Sequence, residues 1–116
     1  MIVDWVRRRC RSLPYVTEQV QWGDHLVFKV GGKIFAIASL QPSEVVLSFK
    51  CSPEDFADLT ERPGVIPAPY LARAQWVALE SEDALPAAEI GKLLQQAYEL
   101  VLAKLPKRIR QELARP

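Results

Sequence analysis

The stretch Trp22-Gly23-Asp24-His25-Leu26-Val27-Phe28-Lys29-Val30-Gly31-Gly32-Lys33-Ile34-Phe35-Ala36 sets the reading of the whole chain. Two runs rich in β-branched and aromatic residues flank a Gly-Gly pair, the signature of a hairpin with a two-residue primed turn. Glycine supplies the positive φ angles of such a turn without steric cost. With Gly31 and Gly32 as the loop, Val30 is expected to oppose Lys33, Lys29 to oppose Ile34, and Phe28 to oppose Phe35. Val27 then faces Ala36 and Leu26 faces Ile37. Side chains alternate between the two faces of a strand, so this register sorts them. Leu26, Phe28, Phe35 and Ile37, with Val30 and Lys33 at the turn end, form the expected core face. Val27, Lys29, Ile34 and Ala36 form the expected open face.

Working outward, residues 16–22 place Val16, Glu18, Val20 and Trp22 on one side against Thr17, Gln19 and Gln21, which predicts a strand. Residues 44–50 predict another, with Val45, Leu47 and Phe49 inward and Val46, Ser48 and Lys50 outward. Before them, Val3, Val6, Cys10 and Leu13 make one helical stripe that Pro14 ends. After them, Ser52-Pro53-Glu54-Asp55 carries a cap, a first-turn proline and acids suited to a helix N-terminus, with Phe56 and Leu59 inward and Pro63-Gly64 as the stop. The proline-rich residues 63–69 read as an ordered connector, and residues 76–79 as a fifth short strand. From Pro86 a long helix buries Ile90, Leu93, Leu94, Ala97, Val101 and Leu105 until Pro106 breaks it; the basic tail forms one more turn.

Three segments in order, FKVGGKIFA at residues 28–36, KCSPEDF at 50–56 and PAPYLARAQWVAL at 67–79, resemble the MmcQ/YjbR family of small proteins. The resemblance runs over nearly the whole chain. It implies a CyaY-like α+β fold, similar in outline to frataxin, and a bacterial-type protein proposed to bind DNA through a "double wing" motif. Fold alone does not establish function. The expected architecture is therefore one domain over residues 1–116. It is α+β, a twisted antiparallel sheet of about five strands with N- and C-terminal helices packed on one face.

Composition fits that size. A hydrophobic fraction of 49% in 116 residues supports a single core. No apolar run approaches the roughly 18–20 residues that cross a bilayer, so no membrane partner is expected. Cys10 and Cys51 are too few for a disulfide framework and too far apart for a zinc motif; they read as reduced thiols of a cytoplasmic protein. Net charge is +1, divided as +3 in residues 1–11, +4 in 104–116 and −6 between. Basic ends around an acidic middle make either one patch or two separately solvated helix faces.

No catalytic set is expected. His25 reads as a turn residue without a nucleophile, and Gly31-Gly32 lacks the strand-to-helix setting of a phosphate loop. Frataxin-type iron sites are acidic patches on the first helix; here that helix carries four arginines and one acid, so neither metal nor cofactor is expected. The leading expectation is a non-enzymatic, weak and salt-sensitive DNA-binding or regulatory module using Lys29, Lys33, Lys50, Arg62 and Arg73. The alternative is a protein- or small-ligand-binding module using the open sheet face or an aromatic pocket of Tyr70, Trp76 and Tyr98.

Overall fold

The computed structural model describes residues 2–69, 71 and 74–115. Ten elements follow one another: α1 (Ile2–Arg11), β1 (Val16–Gln21), β2 (His25–Val30), β3 (Lys33–Ser39), β4 (Leu47–Lys50), α2 (Pro53–Leu59), β5 (Val65–Pro67), β6 (Trp76–Leu79), α3 (Ala87–Lys104) and α4 (Lys107–Leu113). The strands form one antiparallel sheet in the order β1-β2-β3-β4-β6-β5. The sixth strand is β5, inside the expected connector: Val65 and Ile66 pair with Leu79 and Ala78 of β6. A short strand broken by Pro67 has too little pattern to stand out from a loop.

The helices lie on one face. Val3, Val6 and Cys10 of α1 and the whole expected stripe of α3 are buried there with Phe28, Phe35 and Phe49 of the sheet. Ser52 caps α2 as expected, its hydroxyl accepting from the Asp55 amide at 3.1 Å. The helix ends at Leu59, short of Pro63, and the tail folds into two turns as α4. Both cysteines sit in this core as free thiols, with Cys51 Sγ donating to Gln75 O at 3.5 Å. Burial pushes the Cys10 thiol up to about 12 and the Cys51 thiol up to about 11, so both are unreactive at neutral pH.

The hairpin register corrects the expected faces. Val30 opposes Lys33 and Lys29 opposes Ile34 as read, but a β-bulge follows, and Phe28 opposes Ala36 while Val27 opposes Ile37. Phe35 is the extra residue. A bulge lets two successive side chains turn to one side, and both Phe35 and Ala36 are fully buried against the helices. Ile37 is thereby sent to the opposite face, where it joins Ile34. The next loop makes a parallel correction: β4 begins at Leu47, Val45 lies on the second face and Val46 packs on the core.

The second face is not bare. Ala68, Trp76 and Ala78 form a small buried cluster there, with Ile34, Ile37, Val45, Ile66 and Leu71 packed around it. Ala68 and Leu71, from the chain between β5 and β6, cover this end of the face, held by Ala68 N–H to Trp76 O at 3.0 Å and Trp76 N–H to Leu71 O at 3.3 Å.

Candidate functional site

Where that cover stops, the sheet face opens into a groove of about 490 Å³. Its floor is Ile37 and Ser48, directly opposed across β3 and β4, and its walls are Trp22, His25, Val45 and Leu71. One wall is the loop between β3 and β4, pinned by the Ser39 hydroxyl donating to Val45 O at 2.9 Å and by Leu40 N–H to Asp24 O at 2.9 Å. The size and the largely apolar lining with few polar groups are those of a small-molecule site. A larger depression of about 640 Å³ along α1, lined by Asp4, Arg7, Arg8, Arg11 and Ser12, is the surface of α1 and the turn after it; no second element walls it.

Three residues give the groove its chemistry. Ser48 is only 8% exposed and brings its hydroxyl-bearing side chain to the groove floor. His25 opens β2, between Gln21 and Ser39 on the neighbouring strands. Its Nδ1 is buried and 2.7 Å from Asp24 Oδ1, but out of line with it, so the pair is a contact of polar groups without a formed hydrogen bond. Trp22 stands edge-on to the imidazole, with ring centroids 5.9 Å apart, and is 65% exposed. Its backbone is left-handed, with φ +55°, a conformation that costs a non-glycine residue of order 1 kcal/mol. An exposed indole held by a strained turn, lining the same groove as a nearly buried serine and the unpaired His25 Nδ1, is an arrangement suited to stacking and orienting a flat molecule.

The sequence-predicted DNA contacts divide. Lys29 and Lys50 project from the second face, Lys33 from the hairpin tip. Lys29 donates to the Gln19 side chain at 3.1 Å. Lys50 donates to Ala74 O at 2.7 Å, and its pKa is held below the usual lysine value by partial burial and then by Lys104. Arg62 is turned to the helix side in an ion pair with Glu89 of α3. Arg73 lies outside the described residues, as does Tyr70.

The aromatic pocket is not one site. Trp76 belongs to the second face, while Tyr98 is in the core, its ring T-shaped on Phe35 at 5.7 Å and its hydroxyl donating to Pro14 O at 2.8 Å. The sheet separates them, because Trp76 and its neighbour Val77 point to opposite faces. Sequence reasoning missed Trp22, His25 and the floor pair Ile37–Ser48. The left-handed Trp22-Gly23 turn has only Gly23 as a written signal, and Ile37 was displaced by an unseen bulge. Among the described residues, no three of His, Cys, Asp and Glu gather closely enough to hold a metal ion, and no helix is long and apolar enough to cross a membrane.

Over residues 11–100 the chain matches the family model YjbR. The crystal structure of the Deinococcus radiodurans protein DR2400, of domain family DUF419, superposes with a TM-score of 0.85 at 32% identity, covering 98% of this chain and 88% of that one. A protein from Pseudomonas syringae solved as a structural-genomics target has a TM-score of 0.67 at 21% identity, over 85% of this chain and 94% of its own, and shares the fold. No curated protein matches.

Proposed function

The chain belongs to the YjbR family, and from that premise we propose that it is a non-enzymatic binding module whose second sheet face takes a small, flat, mostly apolar molecule beside Trp22. The observation that carries this reading is the groove of about 490 Å³. Its aromatic wall supplies stacking area, and Ser48 and His25 supply hydrogen bonds that fix orientation. The two unpaired buried thiols support a place in the cytoplasm.

The test is a set of flat aromatic fragments titrated into isotope-labelled protein and followed by amide NMR. Shifts are expected to concentrate at His25, Ile37 and Ser48, the groove's floor and wall. Trp22→Ala should weaken the best fragment about tenfold, the loss of one stacking contact of about 1.4 kcal/mol. Shifts confined to the helix side, or an unchanged affinity in Trp22→Ala, would remove the groove from consideration.

A second reading, weak nucleic-acid binding, is supported by charge at the other end of β2. The register brings Lys29 and Lys33 to the hairpin tip, and the end of β4 adds Lys50. The same tip packs on Leu105 and Ile109, which puts Lys104 and Lys107 at this end as well. Three phosphate contacts give a slope of about −3 in log K against log salt. Fluorescent duplex titrated at two salt concentrations is expected to show that slope, and Lys33→Glu/Lys107→Glu to flatten it. Absence of binding at low salt ends this reading and leaves the groove untouched.

A further inference from the structure

Among the described residues the exposed large apolar side chains are Tyr15, Val20 and Trp22, at 49%, 57% and 65% exposure. All three lie in β1 or flank it directly. Tyr15 and Trp22, with φ +68° and +55°, are the left-handed residues that bracket the strand. β1 is an outer strand of the sheet, and among the described residues no backbone hydrogen bond from elsewhere reaches its outer edge.

Natural edge strands are usually blunted by shortness, proline, bulges or lysine. The opposite edge, β5, follows this rule with three residues and Pro67. β1 does not. It has six residues, VTEQVQ, with no proline or lysine and unbroken pairing to β2. Its one charge, Glu18, is drawn to the helix side by Arg7 at 2.7 Å and Arg11 at 3.8 Å.

We propose that β1 is a self-association edge. It pairs antiparallel with β1 of a second copy about a two-fold axis through Val20 and perpendicular to the sheet, joining two six-stranded sheets into one with all helices on the same side. In this register Val20 meets Val20 of the second copy, Gln19 meets Gln21, and Glu18 meets Trp22. The two Glu18 carboxylates are offset by four positions, about 13 Å along the strand, beyond the roughly 8–10 Å screening length. The pairing also separates like charge: Arg7 and Arg11 outweigh Glu18 near the start of the strand, and the two-fold puts the two positive ends at opposite ends of the seam. Pairing would also cover the exposed Val20.

Trp22 borders both the edge and the groove, but the seam's centre at Val20 opposes Leu26 on the helix side of the sheet and, like Gln19, does not line the groove, so variants there test the edge alone. Sedimentation equilibrium from micromolar to millimolar protein is the test, with thermal unfolding to verify that each variant is folded. The expected result is twice the 13.1 kDa chain mass, with Val20→Lys and Gln19→Lys, which add the lysine the edge lacks, each raising the dimer dissociation constant at least about tenfold. A mass of 13.1 kDa at every concentration, or a dimer that both variants leave intact, overturns the proposal.

Discussion

Phe35→Ala is expected to lower folding stability by about 3–5 kcal/mol, up to half or more of the roughly 5–15 kcal/mol that holds a typical domain. Phe35 is fully buried, and it is the bulge residue that β3 turns toward the helices. Its ring lies 6.5 Å from Phe28 and 5.7 Å from Tyr98, centroid to centroid. Truncation loses the transfer free energy of a phenyl group and leaves a cavity at the junction of sheet and α3. It also loosens Tyr98, whose hydroxyl ties α3 to the chain entering β1 through Pro14 O. Urea unfolding should show a lower midpoint at an unchanged slope, the mark of lost stability without a change in unfolded area. A loss below about 1 kcal/mol would mean the site collapses around the missing ring.

Gly31→Val is expected to cost about 2–5 kcal/mol, from two separable sources. The first is conformational: φ is +59° at Gly31, where a β-branched residue is a genuine outlier and even an ordinary one loses about 1–2 kcal/mol. The second is space, because a Cβ at this position would stand 2.5 Å from Leu105 Cδ1 and 3.1 Å from Ile109 Cγ2. Forcing it in moves the link between α3 and α4, at a typical overpacking cost of about 1–3 kcal/mol. Gly32→Val is the internal control. Its φ is +81° but nothing lies within 4 Å of a Cβ there, so only the conformational part applies. Denaturation midpoints of the two variants should differ by the packing cost; equal losses would show that α4 gives way freely.

The turn, the first two hairpin pairs, the helix stripes and the Ser52 cap were legible because each is local. Glycine pairs, three- and four-residue spacing and a capping hydroxyl act over a few residues, and the observed elements follow them. The bulge at Phe35 was not legible. Whether a strand adds one residue depends on what waits on each side of it, here α3 for Phe35 and the Trp76–Ala78 cluster for Ile37. Strand β5 was hidden for a similar reason, since its pairing is decided by β6, whose Val77, Ala78 and Leu79 lie well beyond the local sequence window.

The candidate site divides in the same way. Sequence alone determined that the chain folds as an α+β domain with its helices on one face, and that Lys29, Ser48 and Lys50 point away from them. It could not determine that Ser48 is buried, that Tyr98 and Trp76 are kept apart by the sheet, or that Trp22 and His25 face Leu71 across a groove. Those relations were decided by the folded chain. Alternation along a strand assigns a side chain to a face, but the depth of that face is set by distant segments that return to cover it. In this protein Ala68 and Leu71, from between β5 and β6, pack on one part of the second face, and the groove lies beside them, with Leu71 as one of its walls.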